Sequence, residues 1–516
     1  MSAANNFSQC MPFGNTYTEN DALSYENVDP NFEYSGRLSL FFKAVRGLCP
    51  VVFLKLLEDS ARENVEETFL IVFNLRDVIY GKGERHLGRI AMKWLFEKFP
   101  EKFCRVMDLV PEFGRWDDLY SFFPNENSFG QCEYSQKAVK IFSHKLQSDY
   151  KLMKNGFPIS LAAKWVETEN SSDDKKFKRV KTHCGEMKLH EKGYRVRNGA
   201  MRSYINIVEK AMCNKEFEKI DYSKVPSQAM NKLKKAFLRN DKPRFEKYIT
   251  DLQTGAAEVN TKTLQPHEIL ANYMGKNCLN YWNIQESPDE LVEAQWKTLV
   301  HETKKLSVLD KTLVVSDTSG SMFGETGLPI KVSVALGLLI SECCSCNSFK
   351  NQIITFDQCP QFFEFFEEDT LLTKIQKIAK AQWGCNTDLI KTFSIILKRA
   401  VEYKLAPEEM PERVIMISDM QFDQACSGNA FSNFEIIDQM FLQAGYTRPT
   451  LVFWNVAHRT LDFPAQRDFK NCALISGFSQ NVLKTVISTQ NFTPVNVMNE
   501  VIYGTRYIPI YQKLIN

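Results

Sequence analysis

An α-helical array followed by an α/β, doubly wound domain is the fold class this sequence predicts. Three observations carry it. From about Ser35 to Trp282 apolar residues recur every three or four positions, the spacing of one buried helix face. After about Val308, short β-rich runs alternate with helical stretches of 10–16 residues, the pattern of a parallel sheet. A chain of 516 residues is also long for one hydrophobic core, so two or three domains are expected.

In the helical part, Leu87, Ile90, Ala91, Trp94, Leu95 and Phe99 form one apolar stripe, which Pro100 closes. Ala138, Ile141, Phe142 and Leu146 form another. Helices of modest length joined by short turns predict a compact HEAT-like array; no clean internal repeat is present, so that likeness rests on element lengths. In the α/β part, strands are expected at Lys311–Ser316, Asn351–Phe356, Arg413–Ser418 and Thr450–Val456. Helices are expected at Leu328–Cys343, Leu371–Gln382, Asp388–Tyr403 and Phe431–Gln443. The expected organisation is a flexible N-terminus over 1–30, a helical domain over 31–300, the α/β domain over 305–490 and a tail, 491–516, that packs back on the domains.

Hydrophobic content of 44% with 24% charged residues fits a soluble globular protein. No apolar run reaches the roughly 18–20 residues of a membrane span, so no membrane association is expected. The polar N-terminus is not a signal peptide. Fourteen cysteines stand singly, except Cys343, Cys344 and Cys346, which lack a second pair at zinc spacing and read as buried thiols. Together these features predict an intracellular, cytoplasmic protein with reduced thiols. A formal net charge of +2 neither invites nor excludes nucleic acid, so local distribution has to decide.

Chemistry concentrates where predicted strands end. In an open α/β sheet, ligands sit outside the carboxyl ends of the strands. Asp317 falls at such an end, with Ser319 and Ser321 at alternate positions after it. Gly384-Cys385-Asn386-Thr387-Asp388 supplies a hydroxyl at Thr387 just before a helix, and Ile417-Ser418-Asp419 supplies a second carboxylate. This oxygen-only set suits a hard cation, Mg²⁺ or Mn²⁺. Asp-x-Ser-x-Ser alone is a weak signal; the three-part set on three strand ends resembles the metal-ion-dependent adhesion site (MIDAS) of von Willebrand factor A domains. The resemblance implies a Rossmann-like domain that grips a partner's acidic residue through the cation. One departure is Met420, where relatives often place a glycine. A haloacid-dehalogenase-type phosphatase would need a carboxylate where Ser319 stands, and Gly81-Lys82-Gly83 lacks the rest of a P-loop. No Ser/His/Asp or Cys/His nucleophile set is evident, so a non-enzymatic role is expected.

Several helical segments, Gly81-Lys82-Gly83-Glu84-Arg85, Gly114-Arg115-Trp116-Asp117-Asp118-Leu119 and Ser160-Leu161-Ala162-Ala163-Lys164-Trp165 among them, resemble a family found in plants, fungi and giant viruses. The domain order resembles the Ro (TROVE-type) ribonucleoproteins, which by analogy implies binding of structured RNA. The residues bear on this independently. Between Lys164 and Lys247 there are 22 lysines and arginines against 12 acidic residues. The densest part holds Lys175, Lys176, Lys178, Arg179, Lys181, Arg195, Arg197 and Arg202, with Phe177, Tyr194 and Tyr204 interleaved. Cations can neutralise phosphates and aromatics can stack bases; equally, these are solvated helix faces with a disordered loop at Glu169–Lys181. Arg76, Asp77, Glu84 and Arg85 are expected to form an ion-pair cluster, and Trp116-Asp117-Asp118 to open a helix.

The reading is therefore an intracellular binding protein that engages an acidic protein or peptide through a Mg²⁺ (or Mn²⁺) site and carries a candidate RNA surface. The alternatives are a structural component, such as a virion protein, with a vestigial metal site, and a metal-dependent hydrolase.

Overall fold

The computed structural model describes residues 15–17, 23–25, 35–124, 132–257, 259, 261, 264–274, 284–305, 309–324, 327–346, 348–356, 360–380, 388–420, 433–458, 463–465, 468–482 and 492–516. The chain divides into two compact units. The first, the sheet unit, comprises Met1–Ile71, Tyr80–Glu84 and Thr261–Gly504; the second, the helical unit, comprises Val72–Ile79, Arg85–Asn260 and Thr505–Asn516. The division is not at residues 300–305 as the change of sequence character suggests. Helices Gly36–Lys43, Pro50–Glu63 and Glu290–Lys304 belong to the sheet unit. Of residues 1–30 only an antiparallel pair, Asn15–Tyr17 with Leu23–Tyr25, is described.

Six strands form the sheet: β1 (Thr312–Asp317), β2 (Gln352–Phe356), β3 (Phe362–Glu364), β4 (Arg413–Ser418), β5 (Thr450–Asn455) and β6 (Cys472–Ser476). Their order is β3-β2-β1-β4-β5-β6, that of a doubly wound sheet. All neighbours are parallel except β2 and β3. The sheet is therefore mixed, with an antiparallel edge, a common termination of a parallel sheet. All six residues of β1 are buried, as expected of a central parallel strand covered on both faces.

Helix Leu328–Cys343 follows β1 and is buried along almost its whole length. Even Lys331, Ser333 and Ser341 are buried, because the helix packs on β1, β2 and β4 and is covered in turn by helices Pro266–Leu270 and Glu290–Lys304. Gly337 sits at the closest approach to the sheet: a Cβ there would stand 2.1 Å from the Ser316 hydroxyl. Lys82 fastens the short segment Tyr80–Glu84 within the same unit. Its ammonium donates to the Phe41 carbonyl and, at 2.7 Å, to the Ser476 hydroxyl at the end of β6. Complete burial lowers its pKa to about 7 against the favourable pull of Glu84.

In the helical unit, helix Cys132–Lys154 is the long central element; helices Arg179–Met187 and Glu191–Tyr204 and the 3₁₀ turn Trp116–Phe122 pack on it. Phe96, Phe103 and Phe122 fill the space between helices Arg85–Lys98 and Pro100–Val106 and this turn. The tail is shared: helix Pro494–Ile502 packs on β6 in the sheet unit, and helix Ile508–Ile515 on Pro100–Val106 in the helical unit. Among the described residues no helix is long and apolar enough to cross a membrane.

Candidate metal centre and basic surface

The direction of the chain's crossovers reverses between β1 and β4, the neighbours at the middle of the sheet. A crevice opens at the carboxyl ends of such strands because the connections leave in opposite directions. Their register pairs Ser316 with Ile417, which sets Asp317 beside Ser418, and Asp419 follows at once. The Ser418 hydroxyl donates to Asp317 Oδ2 at 2.5 Å, and the Ser319 amide donates to Oδ1 at 2.8 Å. Ser319 and Ser321 Oγ lie 3.0 Å apart, Ser321 on the 3₁₀ turn Gly320–Met322. Four of the five predicted ligand residues thus lie on two adjoining strand ends. The fifth, Thr387, and the Gly384–Asn386 stretch before it lie outside the described residues. Asp388 is described as the cap of helix Leu389–Glu402, accepting from the Lys391 amide at 2.9 Å.

Both carboxylates are buried, Asp317 at 0% and Asp419 at 1% exposure. Burial first, and the neighbouring Asp419 charge second, push the Asp317 carboxyl up to about 7; hydrogen bonds from Ser418 and Ser319 oppose the shift. The opposing influences come from hydroxyls and an amide. Met420 has φ 68°, and its amide donates to the Ser418 hydroxyl at 3.0 Å. That left-handed backbone is what a glycine would adopt without strain, so the departure from the motif has a local conformational cost. Among the described residues no three His, Cys, Asp or Glu side chains gather as a metal-ligand group. The donor set at Asp317 is instead two carboxylates with hydroxyls, which suits a hard, oxygen-seeking cation. Cys343 and Cys344 are buried free thiols, and burial raises them to about 12 and about 11.

The basic stretch separates into two groups. Arg202 donates to the Ala163 and Val166 carbonyls at 2.7 and 2.6 Å. Arg179 pairs with Glu167 at 3.2 Å and lies over the Tyr120 ring, 4.3 Å from its centroid. Arg195 pairs with Glu169 at 2.9 Å, and Arg197 lies over Tyr150. Tyr194 is buried, its hydroxyl donating to the Glu167 carbonyl, so it presents no stacking face. Lys175, Lys176, Lys178 and Lys181 are exposed and form no ion pair among the described residues, and Phe177 is exposed among them. Glu169–Lys181 is not a featureless loop: Ser171 caps helix Ser172–Phe177, and left-handed Lys178 leads into Arg179–Met187.

The predicted four-residue ion-pair cluster is regrouped. Arg76 pairs with Asp118 at 2.6 Å and Arg85 with Asp117 at 3.1 Å, while Asp77 meets Arg506 and Glu84 meets Arg46. Arg89, which the sequence does not single out, binds both Asp117 and Asp118. Its place on the face of helix Arg85–Lys98 four residues after Arg85 is the available signal.

Fold and site together define a chain with a helical unit and a mixed six-stranded sheet that holds a carboxylate–hydroxyl cluster at its central strand ends. Two domain models match it: "Domain of unknown function (DUF2828)" over residues 134–309 and "Domain of unknown function (DUF7788)" over residues 311–503. Their junction falls where the sequence changes character. The chain is 28% identical over 517 residues to "Uncharacterized protein L728" of Acanthamoeba polyphaga mimivirus, covering 94% of this chain and 88% of that protein. Kinship with a giant-virus protein is thus shown. Among solved structures, the Deinococcus radiodurans Ro (RSR) protein aligns with a TM-score of 0.36 and 14% identity over 87% of this chain and 90% of that one.

Proposed function

We propose that the strand ends at Asp317 and Asp419 are a von Willebrand A-type adhesion site: Asp317, Ser319, Ser321, Asp419 and, as the sequence motif implies, Thr387 hold Mg²⁺ or Mn²⁺ to engage an acidic residue of a protein partner. The observation that carries the reading is the pair of buried carboxylates on adjoining strand ends, where burial and mutual repulsion disfavour two negative charges. Bound there, a divalent cation would offset both charges and offer an exchangeable position to a partner's carboxylate. The chain's own part is to fix the first carboxylate through Ser418 and the Ser319 amide and to keep two hydroxyls side by side. This is a binding role without a catalytic step. Calorimetry tests it: the parent should bind Mg²⁺ or Mn²⁺ and Asp317→Ala should not, while both keep the same circular dichroism. Equal metal affinity in the two proteins would sink the site. Partner binding should be lost in EDTA and restored by either ion.

A second reading, an RNA-binding surface, is favoured by one observation, the four exposed lysines around Phe177. Replacing Lys175, Lys176, Lys178 and Lys181 with glutamine should lower the slope of log affinity against log salt by about 3, near 0.7–0.9 for each phosphate no longer neutralised. An unchanged slope, or no RNA binding by the parent at low salt, ends this reading.

A further inference from the structure

The helical unit contains a cavity of about 310 Å³ that neither the adhesion-site reading nor the lysine surface uses. Four cations line it: Arg85, Arg89, Lys164 and Arg179. Its size is at the lower end of small-ligand sites, about 300–1,000 Å³, and well above what a lone inorganic ion needs. Asp117 and Asp118 pair with Arg85 and Arg89. They do not exhaust them: a guanidinium carries five N–H donors, and the carboxylates take Nη2 of Arg85 and Nε and Nη2 of Arg89. Arg85 is also more than half exposed.

Arg115 lies over the Trp165 ring, 4.3 Å from its centroid, and its Nε and Nη2 are buried without a hydrogen bond, Nε standing 3.3 Å from Asp117 Oδ1. Along the lining, the cations Arg85, Arg89, Lys164 and Arg179 stand against the carboxylates of Asp117, Glu167 and Asp173, an excess of one positive charge. That sign favours an anion, and arginine fans match the oxygens of a phosphate monoester. Glu167, Asp173 and Ser121 also line the cavity, and the two carboxylates hold Arg179, at 3.2 and 3.8 Å. Carboxylates repel a phosphate but accept hydrogen bonds from hydroxyls, so Arg85, Arg89 and Lys164, which do not pair with Glu167 or Asp173, suit an anion and the two carboxylates suit hydroxyls.

We propose that this cavity binds a small phosphorylated sugar, its phosphate among Arg85, Arg89 and Lys164 and its sugar hydroxyls on Glu167 and Asp173, the carboxylates that hold Arg179. A free sugar phosphate and a mononucleotide share that chemistry, and the test separates the two sources.

Titration calorimetry on the full chain would use ribose 5-phosphate, AMP, ribose and inorganic phosphate as probes. Ribose 5-phosphate or AMP should bind at least about tenfold more tightly than inorganic phosphate, and ribose should not bind. Binding of ribose 5-phosphate assigns a free sugar phosphate, and binding of AMP alone assigns a nucleotide. Arg85→Gln combined with Lys164→Gln should weaken the better ligand at least tenfold, since two cationic hydrogen-bond donors to its phosphate are removed. Lys164→Gln alone makes no change to the ion pairs and guards against loss of fold in the double variant; it should weaken binding severalfold. No binding of either phosphorylated probe at millimolar concentration, equal binding of ribose, or affinity unchanged in both variants overturns the proposal.

Discussion

Asp118→Ala is expected to cost the helical unit about 3–5 kcal/mol of stability, the range for removing one partner of a buried ion pair. Asp118 and Arg76 are each only 1% exposed. One oxygen of Asp118 receives Arg76 and the Arg115 amide, and the other receives Arg89 Nε at 2.6 Å. Alanine would strand the Arg76 guanidinium without its acceptor in a place water does not reach, and would uncap the turn Trp116–Phe122. Asparagine is expected to recover little, because it keeps the shape but not the charge. Gly114 belongs to the same arrangement, since a Cβ there would stand 2.2 Å from Asp118 Oδ2. As a contrast, Asp173→Asn removes a carboxylate that is 62% exposed and 3.8 Å from Arg179, and should cost no more than about 1 kcal/mol. Urea unfolding followed by tryptophan fluorescence distinguishes the two. Equal midpoints for Asp118→Ala and the parent would show that the cluster is not a structural hub.

The second large effect concerns the metal-free sheet unit. The Asp317 carboxyl is raised from an ordinary 3.8 to about 7, so between those values the folded chain holds a proton that the unfolded chain has released. Its contribution to stability is therefore full below pH 4 and is lost as pH rises through 7. In EDTA the unfolding midpoint should fall across that window, and Asp317→Asn should flatten the fall. Mg²⁺ at about 100 times its dissociation constant should add about 2.7 kcal/mol at pH 7, by binding the folded state alone. The Asn variant should gain nothing. A parent midpoint that does not move with Mg²⁺ at pH 7 would count against the cation site, whatever the pH profile shows.

The parts of the fold legible in the sequence are those whose burial is continuous. Arg413–Ser418 and Leu328–Cys343 are found at the expected bounds because a strand covered on both faces and a helix covered on most sides both read as strongly apolar segments. β3, with three residues at a sheet edge, and β6, with five and no clear helical pattern beside it, carry too little signal to be read. An apolar stripe announces a helix but not what it packs against, so residues 36–63 and 290–304 join the sheet unit although their pattern groups them with the helical array. At the candidate site, Asp317 and Asp419 are legible because both end buried strands. The Arg76–Asp118 pair is not, since it joins residues 42 apart and no local spacing encodes it. Composition also cannot separate Arg202, spent on carbonyls, from the exposed lysines nearby.

The sheet unit is assembled from three stretches of chain separated by most of the helical unit. During synthesis, helix Gly36–Lys43 emerges long before β6, the strand it packs on, so its apolar face waits for more than half the chain to be made. Pairings between such distant residues are slow to form and leave apolar surface exposed in the interval. The same arrangement limits how the chain can be cut. A fragment starting at residue 305 would contain all six strands yet lack the Lys82 fastening and the helices Pro266–Leu270 and Glu290–Lys304 that cover Leu328–Cys343. The apolar face of that helix would then meet water, and such a fragment would aggregate rather than stand as an independent domain.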